Sequence, residues 1–207
     1  MKTFKFILSC LFCIIISNVC KLSHAQEVEN LDGDLSILKE QKIITVEFVY
    51  EGMKVGDFTE EQYLQQKRAS FRKAPDYDKF AAKWVSDRKD NYEPKFIEQF
   101  NTGVKKIGIE LSKDDDNTEY TLIVTTTKTE PGYYAGAGGT NRDTYINLTF
   151  SIVKTSDNSQ VKATFEMSDV TGIAQNNAEM KDMQLKIKNA YGIAGFKVGR
   201  FFVKHCK

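Results

Sequence analysis

Histidine and cysteine, the side chains most used for nucleophilic and transition-metal chemistry, are scarce in this sequence. Of its 4 cysteines and 2 histidines, Cys10, Cys13, Cys20 and His24 fall in the first 25 residues, so His205 and Cys206 stand alone in the remainder. A structural His/Cys zinc site takes four such ligands and an internal disulfide takes two cysteines, so neither is expected within residues 26–207; the alternatives for Cys206 are a reactive thiol or a disulfide between molecules. His205 beside Cys206 places a base next to a nucleophile, but neighbours on a helix point about 100° apart, so an ordinary helix end is expected there. Lys113-Asp114-Asp115-Asp116-Asn117 lines up hard oxygen ligands. A calcium loop needs alternating ligands, a central Gly and a distal Glu, so a solvated turn is expected instead. Glu47, Glu166 and Asp169 lie on or beside expected strands, whose wet faces carry carboxylates routinely, and their spacing singles out no catalytic pair.

The most unusual composition is Pro131-Gly132-Tyr133-Tyr134-Ala135-Gly136-Ala137-Gly138-Gly139-Thr140. Glycines let backbone N–H groups approach an anion, but phosphate loops lead into a helix and usually carry a Lys, whereas here a strand follows. Two readings remain: a mobile connection between strands, or a loop displaying Tyr133 and Tyr134 to a glycan, peptide or protein, since tyrosine offers large contact area with a polar end. Gly132, Tyr133, Tyr134, Gly136, Gly138 and Gly139 are therefore the expected partner-binding residues. No cofactor or metal is expected.

The first 25 residues set the compartment. Lys2 and Lys5 precede an apolar run from Phe6 to Val19, and Ser23-His24-Ala25 puts small residues at −3 and −1 before Gln26, the pattern of a signal peptide cut between Ala25 and Gln26. The run is shorter than the roughly 20 residues of a spanning helix. Lipidation at Cys20 is the other option, though Ser17-Asn18-Val19 lacks the small residue expected just before such a cysteine. Removing Lys2, Lys5 and Lys21 with the leader takes 29 basic residues to 26 against 28 acidic, a net charge of −2. That balance argues against a nucleic-acid partner. Arg68, Arg72, Lys73, Lys79, Lys83, Arg88 and Lys89 make the middle locally basic, diluted by acids, as a solvated helix face would be.

Periodicity supplies the elements. Residues 26–41 read as an N-terminal extension and 42–207 as one domain. Ile43 to Tyr50 is a β-branched and aromatic run closed by Glu51-Gly52, the first strand. Thr59 with Gln62 is a capping box opening a helix; helical spacing resumes at Tyr77, Phe80, Ala81, Trp84 and Val85, and again after Pro94. Strict alternation then marks strands at Tyr120–Thr125, Ile146–Ile152 and Val161–Ser168, the last two joined at Thr155–Ser159 as a hairpin. Met183, Ile187, Ala190, Tyr191, Ala194, Val198, Phe201 and Phe202 form the stripe of a long closing helix. Its Ala190, Ala194, Gly195 and Gly199 imply a close approach, expected against the sheet. The order β-α-β-β-β-α gives an α+β domain: a mostly antiparallel sheet with helices on one face.

Gly33-Asp34-Leu35-Ser36-Ile37-Leu38-Lys39-Glu40, the strand ending near Tyr50, Glu61-Gln62-Tyr63-Leu64, the Gly-rich connection and the closing helix together resemble a family of exported proteins of Gram-negative bacteria. The layout is also similar to envelope-assembly auxiliary domains, such as lipopolysaccharide-transport lipoproteins and the N-terminal domain of TolB. The resemblance is one of layout and carries over no functional residue. The leader, the absence of a catalytic constellation and the aromatic Gly-rich loop lead to the expectation of an exported, periplasmic or secreted, non-enzymatic domain that binds a protein or other envelope component through its sheet edge or the 132–140 loop. The rival expectations are a carboxylate-dependent glycan hydrolase and a small-ligand carrier with a cavity under the last helix.

Overall fold

A computed structural model describes residues 26–206 apart from positions 116, 137, 138 and 175. The expected leader, including Ala25, and the loop residue Gly138 lie outside the described residues. The strands are β1 (Glu29–Gly33), β2 (Ile43–Val49), β3 (Lys54–Val55), β4 (Phe58–Thr59), β5 (Glu110–Ser112), β6 (Tyr120–Glu130), β7 (Tyr145–Lys154) and β8 (Asp157–Thr171). The helices are α1 (Glu60–Ser70), α2 (Ala74–Asp87), α3 (Glu93–Val104), α4 (Asn177–Lys181) and α5 (Met183–His205), with a π-helical turn, Arg88–Tyr92, joining α2 to α3. All strands belong to one sheet ordered β1-β8-β7-β6-β2-β5, with β3 flanking the end of β6 and β4 paired to β3.

The fold is α+β, as the periodicity requires. β1, β8, β7 and β6 pair antiparallel in succession, whereas β2 lies parallel to both β6 and β5, reached through the helical segment that separates them in sequence. Along β7, Ile146, Leu148, Phe150 and Ile152 are buried while Asn147, Thr149 and Ser151 on the other face stay half-buried. The residues expected to form an N-terminal extension supply the edge strand β1, and Leu35 and Leu38 from the 3-10 turn beside it are fully buried in the core.

The helical layer covers one face. Thr59 caps α1 with the reciprocal Thr59–Gln62 bonds that its sequence calls for. Phe96 of α3 meets Phe48 of β2 and Phe150 of β7; Phe150 stacks on Phe165 of β8, and Phe165 meets Phe202 of α5, which meets Phe100 of α3. These rings fill the space under α5 where a carrier would need its cavity. The small residues of α5 serve a helix rather than the sheet: a Cβ on Gly195 would sit 2.2 Å from the Phe96 carbonyl oxygen of α3. The two backbones therefore touch, and only glycine fits at that crossing.

Candidate functional site

The Gly-rich connection between β6 and β7 is held at its base. Tyr133 and Arg142 exchange backbone N–H···O bonds of 3.0 Å in both directions, extending the β6–β7 hairpin by one bridge. Thr144 Oγ1 donates to the Pro131 carbonyl at 2.7 Å, and Ala135 N–H donates to Asn141 Oδ1 at 2.9 Å. Gly132, at φ +63°, lies against Arg142 so closely that a Cβ would fall 2.4 Å from its carbonyl oxygen. This position needs glycine for both the left-handed backbone and the close approach. Gly136 also has positive φ and Gly139 N–H donates to its carbonyl at 3.3 Å. The described part of the loop thus stands on a hydrogen-bonded base, and it presents Tyr133 and Tyr134 with 54% and 38% of their surfaces exposed.

Glu130, missed in the sequence, organises that base. It ends β6 with only 4% of its surface exposed. Its Oε1 accepts the Gly132 N–H at 3.1 Å, and Oε2 lies 2.9 Å from Nη2 of Arg142, whose side chain is half exposed. A buried carboxylate requires such a counter-charge, so the pair ties the two ends of the loop to each other. Burial, and secondarily the Glu130 charge, pushes the Tyr63 hydroxyl above the usual tyrosine range.

Two concavities flank the loop, and Tyr133 lines both. On one side a groove of about 450 Å³ runs between the loop, the Gly56-Asp57-Phe58 turn and α1, with Tyr63 and Lys67. On the other a cleft of about 260 Å³ joins Tyr133 and Tyr134 to Ile173, Met180 and Lys186. Ile173 and Met180 are themselves exposed. The loop tyrosines and the segment after β8 thereby form one exposed apolar strip rimmed by Arg142 and Lys186.

The other expected residues are placed apart from it. β6 and β7 lie between β2 and β8, which at about 4.8 Å per strand puts Glu47 and Glu166 roughly 14 Å apart, beyond the roughly 5–9.5 Å of a glycosidase pair. Glu166 accepts a hydrogen bond from Asn30 Nδ2, and Asp169, at φ +52°, donates its backbone N–H to Asn147. His205 packs on the Phe201 ring while Cys206 is buried. Lys113 pairs with buried Glu93, and among the described residues no three His, Cys, Asp or Glu side chains are placed to hold a metal ion. Three of the seven basic residues of the middle are ion-paired within it, Arg68 with Asp78, Lys83 with Asp87 and Arg88 with Glu60.

A second polar cluster, buried and likewise missed, lies beneath the π-helical turn. Tyr92 stacks on Tyr191 at 5.4 Å, Tyr191 shares a 2.6 Å hydrogen bond with Thr126, and the Arg88 guanidinium sits 4.6 Å from the Tyr50 ring centre. Burial raises the hydroxyls of Tyr50 and Tyr92 above the ordinary tyrosine range, and raises Tyr191 to about 12. These groups stay neutral at physiological pH and serve packing.

The sheet edges offer less than the loop. The free edge of β5 is closed by the Asn101 side chain, which accepts Leu111 N–H at 2.8 Å and donates to the Leu111 carbonyl at 3.3 Å. On β1, Asn30 and Gly33 take positive φ and the pairing with β8 is irregular, which bends this edge away from regular strand addition.

No protein-family model and no curated protein matches the chain. Among solved structures, the chain is similar to a PelC dodecamer from Paraburkholderia phytofirmans at 12% identity, with 82% of this chain and 97% of that chain covered and a TM-score of 0.37. A variant of that dodecamer aligns at 10% identity over 83% and 98% of the two chains, with a TM-score of 0.34. Neither likeness bears on what this chain binds.

Proposed function

We propose that the protein is an exported, non-enzymatic binding domain of the bacterial cell envelope, and that it holds a protein partner on the strip formed by Tyr133, Tyr134, Ile173 and Met180. The observation that carries this reading is that strip: two exposed tyrosines on a pinned loop, continuous with two exposed aliphatic side chains and edged by Arg142 and Lys186. Contiguous apolar surface with a polar rim is how protein interfaces are built, and tyrosine is a frequent anchor at their centres. The leader sequence supports export. The rings packed beneath α5 and the roughly 14 Å between the strands of Glu47 and Glu166 favour this reading over the carrier and hydrolase alternatives.

The test is capture from the native host. With the full chain carrying an affinity tag, Tyr133→Ala/Tyr134→Ala should reduce recovery of the cross-linked partner at least about tenfold, as expected for two interface anchors. Tm should move by no more than about 3 °C, since both side chains are solvent-facing. Undiminished capture would show that the strip is not the binding surface.

A further inference from the structure

At the far end of α5 the surface has a different chemistry. The contact of α3 with α5 through Gly195 turns the opposite side of α5 to solvent, and there Lys197, Arg200 and Lys204 follow one another at helical spacing. Arg200 and Lys204 are exposed, with no ion pair among the described residues; Lys197 is bonded to Glu27 at 3.0 Å. The Lys105–Lys106 turn packs beside this end of the helix. Phe196, one turn before Arg200, is 42% exposed in the same surface. Residues 26–207 carry a net charge of −2, so this basic face reflects segregation of charge, not a general excess.

The chain also enters the domain here. Gln26 N–H donates to the Ser168 carbonyl at 3.1 Å, and Glu27 and Val28 form one wall of a groove of about 500 Å³ whose other wall is Lys197, Arg200, Phe201 and Lys204. The 25 residues that precede Gln26, with an apolar run flanked by Lys2 and Lys5, therefore join the fold at the edge of its basic face. A chain whose apolar segment engages a bilayer holds its first ordered residues close to the headgroups.

We infer that the outer face of α5 from Phe196 to Lys204 docks on an anionic phospholipid bilayer. Arg200 and Lys204 meet headgroup phosphates, beside Lys197 on its Glu27 partner, while Phe196 inserts at the acyl boundary, the combination used by interfacial helices. A basic side chain near an anionic leaflet strengthens partition by about fivefold, and the attraction is screened by salt. The leader brings this face to the membrane; after cleavage the face keeps the domain there reversibly. The docking face meets the strip at the groove that Ile173 shares with Phe196 and Lys197; Tyr133 and Tyr134 lie outside that groove, so either function can fail without the other.

The experiment uses residues 26–207, which contain every described element of the fold, so that the leader cannot insert. The protein is sedimented with vesicles of phosphatidylcholine containing about one-third phosphatidylglycerol, and with phosphatidylcholine alone. Binding should need phosphatidylglycerol and weaken as salt is raised. Lys197→Glu/Arg200→Glu/Lys204→Glu should lower partition at least about a hundredfold, and Phe196→Ser should lower it with the charges intact. Arg72→Glu/Lys73→Glu/Lys79→Glu, an equal charge change elsewhere, should leave most binding in place. Equal loss in that control, equal binding to uncharged vesicles, no binding to anionic vesicles, or binding to a soluble polyanion without binding to vesicles would each overturn the proposal.

Discussion

Cys206 and the tyrosines beneath the helical layer are the groups whose ionisation the fold controls most strongly. Burial, with the Asp34 charge adding to it, pushes the Cys206 thiol up to about 12, so the thiolate that attacks alkylating reagents is scarce. Tyr50, Tyr63 and Tyr92 are raised in the same way, and Tyr191 to about 12. Each is an acid held neutral by the fold, with a folded value above its unfolded one. Its stabilisation is therefore complete below the unfolded values of about 8.5 for Cys and 10 for Tyr, and is lost as pH rises through the folded values. Tm should stay flat from neutrality to about pH 9 and fall above it, with the absorbance of the buried tyrosinates appearing together with loss of the native circular dichroism. Full tyrosine titration near pH 10 with the fold intact would contradict this. At this scale the sequence showed Tyr133 and Tyr134, because glycine-rich composition is a local signal. It did not show Glu130 or Arg142, because 11 residues separate them and a pairing closed by a loop leaves no periodic trace.

Among the elements, α5 was the most legible, since a strict apolar stripe needs little else to specify a helix. The partner of its small residues was not legible: a sheet and a second helix demand the same absence of side chain, and only the three-dimensional crossing shows that α3 occupies the place. Gly195→Ala sets a methyl against backbone rather than against a movable side chain, so neither helix can yield cheaply. A loss of about 3 kcal/mol or more is expected, lowering Tm by roughly 6–12 °C in a domain of this size, measurable by thermal unfolding. A change of less than about 2 °C would show that the helices are not in backbone contact. Two strand features also escaped the sequence for physical reasons. The parallel pairing of β2 with β6 leaves the same alternation as antiparallel pairing, and Glu29-Asn30-Leu31-Asp32-Gly33 contains no β-branched or aromatic residue to announce β1. Asn101 closes the β5 edge with a side chain ten residues away, a contact that no pattern of strand residues encodes.

For the molecule as a whole, the helical layer closes one face of the sheet and leaves the other as a half-exposed surface of Thr, Ser and Asn with Ile123, Lys162 and scattered acids. The apolar strip lies where β6–β7, the end of β8 and the start of α5 converge, and the basic face lies at the other end of α5 beside Gln26. Composition announced neither, because a net charge near zero conceals how charge is distributed. A domain that rests on a bilayer through the C-terminal half of α5 would present the tyrosine strip to a partner from the opposite end of that helix.

The most direct measurement is photo-crosslinking in the native host, with a photoreactive phenylalanine placed in turn at Tyr134, at Ser151 on the open face of the sheet, and at Arg200. The tyrosine strip as binding surface predicts one reproducible protein adduct from position 134 and none of comparable yield from 151 or 200. The same protein adduct from Ser151, with none from position 134, would place binding on the open sheet and contradict the account.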